Sequence, residues 1–122
     1  MLRVLIADES EAVRKVAAHI LADFGFSIIE STGALDAFAK SQSSLADIVI
    51  VDSSMPGALE LIQNIRALPN DSRIRIFYSV TKADLRCLMA GKRAGADDFL
   101  LKPFERKALG AAFSGLASVA AA

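Results

Sequence analysis

The stretch IVIVDSSMP, residues 48–56, places an acidic side chain at the end of a strongly apolar run. Four β-branched residues in succession predict a buried strand, and the Pro56–Gly57 step predicts a turn close behind it. A carboxylate at the end of a buried strand is costly to desolvate unless it has a partner or a use. Asp52 is therefore the first candidate for a functional residue.

Charged side chains also end two other apolar runs. Asp8 and Glu9 follow the run at 4–7, and Lys102 follows the run at 99–101. An acid pair, a single acid and a lysine, each at a strand end, predict one acidic site with a cationic side chain beside it. Such a site suits a divalent metal ion and a phosphoryl group.

Strand-like and helix-like segments alternate along the whole chain, and no internal repeat or linker interrupts them. The predicted strands cover 2–7, 26–29, 47–51, 74–79 and 97–101, and the predicted helices cover 10–24, 32–41, 59–68, 83–94 and 104–118. Nearly continuous apolar strands that alternate with helices are typical of a parallel sheet covered on both faces.

This pattern predicts an α/β fold, a flavodoxin-like (βα)5 three-layer sandwich. Its five-stranded parallel sheet should have the order 2-1-3-4-5, with the topological switch point between the first and third strands. Ligands in such sheets bind outside the carboxyl ends of the strands at that point. Asp8, Glu9 and Asp52 lie at the ends of the first and third strands, where the fold places its site.

Length and composition limit the function classes. We expect one domain over residues 1–122, with 119–122 as a frayed tail or the start of a linker. The equal counts of 14 basic and 14 acidic residues give no global sign of nucleic acid or an anionic membrane as a direct partner. No apolar run approaches the roughly 20 residues of a membrane span, and the chain leaves no room for a signal peptide. The single cysteine, Cys87, fits a reducing cytoplasm.

Three motifs carry a resemblance that covers essentially the whole chain. They are the acid-pair segment ADESEAVR at 7–14, the turn VDSSMP at 51–56, and the segment GADDFLLKPF at 95–104. With them the chain resembles a receiver domain of a two-component response regulator, of the chemotaxis type.

The resemblance implies a role for each charged residue. Asp52 would be the phosphoacceptor, taking a phosphoryl group from a histidine kinase or a histidine phosphotransfer protein. Asp8, Glu9 and Asp52 would hold Mg²⁺ together with the backbone carbonyl of Ser54 and water. Lys102 would neutralise a phosphoryl oxygen.

The resemblance also implies a switch and an output. Phe99 occupies the family's switch-aromatic position, and Lys102–Pro103 is a candidate cis peptide. Phosphorylation would change a face that binds an unknown output protein or domain. Acceptance and slow loss of the phosphoryl group would be the only chemistry, so the chain is not expected to be an enzyme in the usual sense.

Three departures from the family pattern bear on the site. Glu9 fills a slot that usually carries Asp, and only Gly57 and Ala58 separate Pro56 from the third helix, so the loop over the site should be tight. Counting back from Gly95 puts Val80 in the slot of the switch hydroxyl. Ser79 and Thr81 flank Val80, and we favour Ser79 because Ser79–Val80 resembles the family's hydroxyl-then-small pair.

Two alternative functions remain open from the sequence. One is a pseudo-receiver, in which the same fold acts as a phosphorylation-independent protein-binding module. The other is an aspartyl phosphatase, which usually has a second Asp two residues after the nucleophile; here that position is Ser54, which argues against it.

The last helix has an unusual composition. No charged residue follows Lys107, and residues 108–117 are small or apolar almost all round. An exposed helix normally presents a polar face. We therefore hypothesise that this helix docks a partner or forms a homodimer, with an exposed alanine-rich helix as the alternative.

Overall fold

The computed structural model describes residues 2–43, 46–69 and 74–121, with side chains through residue 116. Strands and helices alternate as β1 (Arg3–Ala7), α1 (Glu11–Asp23), β2 (Ser27–Ser31), α2 (Ala34–Ser43), β3 (Ile48–Asp52), α3 (Ala58–Arg66), β4 (Arg75–Val80), α4 (Leu85–Ala94), β5 (Asp98–Leu101) and α5 (Arg106–Ala121).

The five strands form one parallel sheet in the order β2-β1-β3-β4-β5. The predicted fold class and strand order are thereby confirmed. The order reverses between β1 and β3, so two neighbouring strands lead into helices on opposite faces of the sheet. Their carboxyl ends form a crevice between them.

Two apolar layers fill the space between the sheet and its helices. Because side chains alternate along a strand, Val4 and Ile6 of β1 pack with α1 and α5, while Leu5 and Ala7 pack toward α2 and α3. All five residues of β3 are buried. The continuous apolar run that ends at Asp52 is therefore the centre of the sheet, covered on both faces.

Local signals fix where two helices begin. The Ser10 hydroxyl accepts a 3.2 Å hydrogen bond from the Val13 amide, and the Asp84 carboxylate accepts one of 3.0 Å from the Arg86 amide. These bonds satisfy amides in the first turns of α1 and α4 that have no partner inside the helix.

The observed boundaries differ from the predicted ones at several ends. Helix α2 begins at Ala34 rather than at residue 32, and Leu35 in its first turn is 89% exposed. Helix α5 continues to Ala121, so the backbone of 119–121 is helical, whereas residue 122 lies outside the described residues. In the described part of the chain, no helix is both long and apolar enough to cross a membrane.

Candidate functional site

Three charged side chains converge at the carboxyl edge of the sheet. Asp8 follows β1, Asp52 is the last residue of β3, and Lys102 follows β5. All three side chains are largely buried, with exposures of 11% for Lys102, 4% for Asp8 and 7% for Asp52. The fold thus brings together residues that lie far apart in the sequence.

The Lys102 ammonium lies between the two carboxylates. Its Nζ atom is 2.7 Å from Asp52 Oδ1 and 3.2 Å from Asp8 Oδ2. Burial acts to lower the pKa of Lys102, but the hydrogen bond and charge of Asp52, with those of Asp8, outweigh it and hold that pKa above its ordinary value. One cation therefore lies against two buried carboxylates, and the cluster keeps an excess of negative charge.

The two carboxylate oxygens of Asp52 have different environments. Oδ1 accepts hydrogen bonds from Lys102 Nζ and, at 3.2 Å, from the Ser54 amide. Oδ2 accepts none from the described residues, and no buried side-chain oxygen among them lacks a partner, so Oδ2 reaches solvent. One oxygen orients the carboxylate and the other is free to react.

The backbone of Asp8 is held from both sides. Its amide donates to the Ser31 carbonyl at 3.1 Å, and its carbonyl accepts a 2.7 Å bond from Arg14 Nη1. The buried Arg14 also forms an ion pair with Glu30, with 3.1 Å between Nε and Oε1. Arg14 was not predicted from the sequence to contact the site. The available signal was that this charged residue lies on the face of α1 that also carries the buried Ala17 and Leu21.

Glu9 does not join the buried cluster. It is exposed and lines a groove of about 460 Å³ between α2 and the turn after β3, together with Leu35, Phe38 and Pro56. Within the ranges that the structure describes, no three His, Cys, Asp or Glu side chains are grouped so as to hold a metal ion. Of the three predicted carboxylate ligands, Asp8 and Asp52 are buried together, and the role of the exposed Glu9 stays a prediction.

The turn after Asp52 is as short as the sequence predicted. The Met55 amide donates to the Asp52 carbonyl at 3.2 Å, and the Ala58 amide donates to the Met55 carbonyl at 3.1 Å, so α3 starts at once. Gly57 adopts a φ of +79°, and a Cβ atom there would lie 3.1 Å from Ala34 Cβ. Glycine at this position allows α3 to begin beside the first turn of α2.

The three candidates for the switch hydroxyl have distinct positions. Ser79 is buried and lies opposite Asp52 in the β3–β4 register, and its hydroxyl donates to the Val51 carbonyl at 3.3 Å. Val80 belongs to the apolar layer on the other face of the sheet, and Thr81 is exposed. Ser79 is therefore the hydroxyl placed beside the acidic cluster.

Two further predicted residues lie on or after β5. The Lys102–Pro103 peptide bond is cis, as the resemblance implied. Phe99 is partly buried, packs against the apolar layer shared with α3 and α4, and lies opposite Tyr78 of β4. The structure thus places the expected switch aromatic on the strand next to Ser79.

Comparison with known proteins agrees with this geometry. The family model of the response regulator receiver domain matches residues 4–114. The chain belongs to this family. The matched segment includes the whole acidic cluster and all of the sheet except Arg3, the first residue of β1.

Curated relatives include chemotaxis proteins and longer regulators. The chain is 26% identical to the chemotaxis protein CheY-3 of Vibrio cholerae, over 84% of this chain and 82% of that protein. It is 29% identical to protein PilG of Pseudomonas aeruginosa, over 88% of this chain and 82% of PilG. A probable transcriptional regulator, ycf27 of Guillardia theta, is 30% identical over 88% of this chain, but the match spans only 42% of that regulator.

Solved structures give the same result. The chemotaxis protein CheY4 of Vibrio cholerae superposes with a TM-score of 0.88 at 27% identity, covering 94% of this chain and 98% of that one. The chain is therefore a receiver domain of the chemotaxis type, and family membership supports a phosphoacceptor role in two-component signalling over a phosphorylation-independent binding module.

Proposed function

We propose that Asp52 is the residue that accepts the phosphoryl group, from a phosphohistidine of a histidine kinase or a histidine phosphotransfer protein. The observation that carries the proposal is the asymmetry of its carboxylate. Lys102 and the Ser54 amide hold Oδ1, while Oδ2 has no hydrogen bond from the described residues and reaches solvent. An oriented carboxylate with one free oxygen is suited to nucleophilic attack.

The proposed transfer is an in-line displacement. A bond forms between Asp52 Oδ2 and phosphorus while the phosphorus–nitrogen bond of the donor breaks, and the electron pair stays on the imidazole. Lys102, already beside Oδ1, would neutralise charge on a phosphoryl oxygen. Ser79 would turn its hydroxyl from the Val51 carbonyl toward the phosphoryl group.

We further propose that the site takes Mg²⁺ through Asp8, Asp52 and the Ser54 carbonyl. Mg²⁺ usually keeps several waters and binds proteins through one or two carboxylates plus phosphate oxygens, so two buried carboxylates are enough. The receiver domain of the kinase PA1611, which shares this fold at 21% identity, is described with a magnesium ion in its active-site cleft. When bound, the ion would offset repulsion between the carboxylates and the incoming phosphate. Glu9, being exposed, would contribute through water.

The surface around α4 and β5 supports the proposed output role. Leu85 and Met89 lie one turn apart on α4 and are 72% and 44% exposed, so they form an exposed apolar patch on that helix, and Leu101 on β5 is 57% exposed. Apolar patches of this kind mark binding surfaces for partner proteins. The homodimer through α5 remains a prediction, since side chains beyond residue 116 lie outside the described part.

The activity of the isolated domain would be limited to accepting and slowly losing the phosphoryl group, in the cytoplasm where its kinase partner acts. The chain spans only 42% of the regulator ycf27 and 32% of another curated relative, the cyclic di-GMP phosphodiesterase response regulator RpfG of Xanthomonas campestris. An output domain in the same polypeptide is therefore as compatible with the site as a separate partner.

Phosphoryl transfer from acetyl phosphate tests the proposal. With Mg²⁺ present, we expect the intact mass of the protein to rise by one phosphoryl group and peptide mapping to place it on Asp52. The Asp52→Asn variant should gain nothing, whereas Asp98→Asn, the same change at an exposed position on β5, should gain as much as the wild type. No gain by the wild type, or an equal gain by Asp52→Asn, would refute the assignment.

A further inference from the structure

Tyr78 occupies an unusual position between the acidic site and α4. It is the only tyrosine in the chain, it is 3% exposed, and it directly precedes Ser79 on β4. Since neighbouring residues on a strand face opposite sides of the sheet, Ser79 faces away from the layer that contains Tyr78. Tyr78 belongs to the apolar layer beneath α3 and α4.

Helix α4 packs directly on the Tyr78 ring. A Cβ atom built on Gly91 would lie 2.4, 2.8 and 2.9 Å from three carbon atoms of that ring, closer than real Cβ atoms approach their neighbours. Only a residue without a side chain allows α4 to lie this close. The position of the ring therefore determines how near to the sheet α4 can lie.

The Tyr78 phenol lies close enough to Cys87 of α4 and to Asp52 for both to influence it. Burial, with smaller contributions from the Cys87 thiol and the Asp52 carboxylate, raises the pKa of Tyr78 to about 12. Cys87 is on α4, one turn before Gly91. The ring thus spans from Gly91 to Cys87, and its neutral phenol is within electrostatic range of Asp52.

We propose that Tyr78 transmits the phosphorylation state of Asp52 to α4. The inference rests on the proposed function and adds a residue to it. A shift of the end of β4, as Ser79 turns toward the phosphoryl group, displaces the Tyr78 ring, and α4 moves because it packs on that ring without an intervening side chain. The exposed Leu85 and Met89 move with the helix, so the apolar patch changes with the state of Asp52.

The chain contains its own two probes for a test. Beryllofluoride with Mg²⁺ serves as the phosphoryl analogue, fluorine NMR reports its occupancy at Asp52, tyrosine fluorescence reports Tyr78, and the rate of thiol labelling reports Cys87. The chain has no tryptophan and a single cysteine, so both signals are unambiguous. In the wild type, occupancy should change the fluorescence and alter the labelling rate several-fold.

Variants of Tyr78 and Gly91 distinguish a role in coupling Asp52 to α4 from a purely structural role in the fold. Tyr78→Phe keeps the ring and should keep the labelling response, whereas Tyr78→Val should bind beryllofluoride but lose most of the response. Gly91→Ala should change the labelling rate several-fold without any analogue, whereas Gly115→Ala, a helical position with nothing near the added Cβ, should not. An unaltered labelling response in an occupied Tyr78→Val protein would overturn the coupling role, and absence of fluorine signal in the wild type would instead count against the proposed function.

Discussion

The two edges of the sheet each carry a cluster of charged side chains, buried at the carboxyl edge and partly exposed at the amino edge. The clusters differ in how completely their charged groups are hydrogen-bonded. At the carboxyl edge, one lysine lies between two carboxylates and Asp52 Oδ2 is left without a hydrogen bond from the described residues. At the amino edge, Arg66 from the end of α3 reaches the Gly95 carbonyl at 2.8 Å, the Ile74 carbonyl at 2.8 Å and Asp97 Oδ2 at 2.7 Å.

In the amino-edge cluster, the charged side chains are hydrogen-bonded to each other and to backbone groups. Asp97 Oδ2 also accepts a 2.8 Å hydrogen bond from the Ile76 amide, and the partners of the Arg66 guanidinium include this carboxylate and two backbone carbonyls. Its planar guanidinium fits several acceptors at fixed angles, which suits a structural contact. The carboxyl edge has excess negative charge and an open oxygen, which suits the binding of a cation or a phosphoryl group. Similar residue types thus stabilise the fold at one edge and form the proposed phosphoryl-accepting site at the other.

Removal of Arg66 should have the largest effect on stability. Arg66→Ala leaves the Gly95 and Ile74 carbonyls and Asp97 without their partner, and we expect the free energy of unfolding to fall by about 3 kcal/mol. Urea denaturation measures this. Arg106→Ala, which breaks an exposed pair with Asp23, is the matched control and should cost less than about 1 kcal/mol. Equal losses in the two variants would show that the contacts of Arg66 stabilise the fold no more than an exposed ion pair does.

At the carboxyl edge, removal of the cation should lower the stability of the fold much more than removal of one of the two carboxylates. Lys102→Met leaves two buried carboxylates facing each other, and we expect a loss of about 2 kcal/mol that added Mg²⁺ partly restores. Asp52→Asn removes one of two like charges and keeps Lys102 paired with Asp8, so stability should stay within about 1 kcal/mol of wild type or rise. A large loss in Asp52→Asn would mean that this edge is built for stability as well.

The metal site gives a smaller effect that separates its two neighbouring acids. Asp8→Asn should weaken Mg²⁺ binding about tenfold, equivalent to about 1.4 kcal/mol, because it replaces the carboxylate that we propose as a direct ligand. Glu9→Gln should weaken binding less than about threefold, since Glu9 is exposed and outside the buried pair. Calorimetric titration with Mg²⁺ measures both. Equal losses of Mg²⁺ affinity in the two variants would indicate that Glu9 is a direct ligand.

The sequence predicted the fold well because the fold depends on local and repeated signals. The continuous apolar run before Asp52 and the alternation of strands with helices sufficed for the sheet order. Strand-end positions also sufficed to bring Asp8, Asp52 and Lys102 together, since parallel strands end at one edge. The tight turn at Gly57 followed from the shortened connection alone.

Other features depended on packing that the sequence does not encode locally. Adjacent acids at residues 8 and 9 look equivalent in the sequence, but Asp8 is buried against Lys102 and Glu9 is exposed. The contact between Tyr78 and Gly91 joins a strand to a helix and has no signature in either segment. Arg66 and Asp97 pair across 31 positions, so neither could be assigned a partner from spacing.

The most direct test of the contrast between the edges is amide hydrogen exchange, resolved by residue, with and without beryllofluoride and Mg²⁺. We predict slower exchange at the carboxyl edge, for the amides of Ser54 and Lys102, and unchanged exchange at the amino edge, for those of Ile76 and Asp97. Two results would contradict the proposed difference between the carboxyl edge, which binds the phosphoryl group, and the amino edge, which stabilises the fold. One is an equal change in exchange at both edges. The other is no change at the carboxyl edge of a protein that fluorine NMR shows to have bound beryllofluoride.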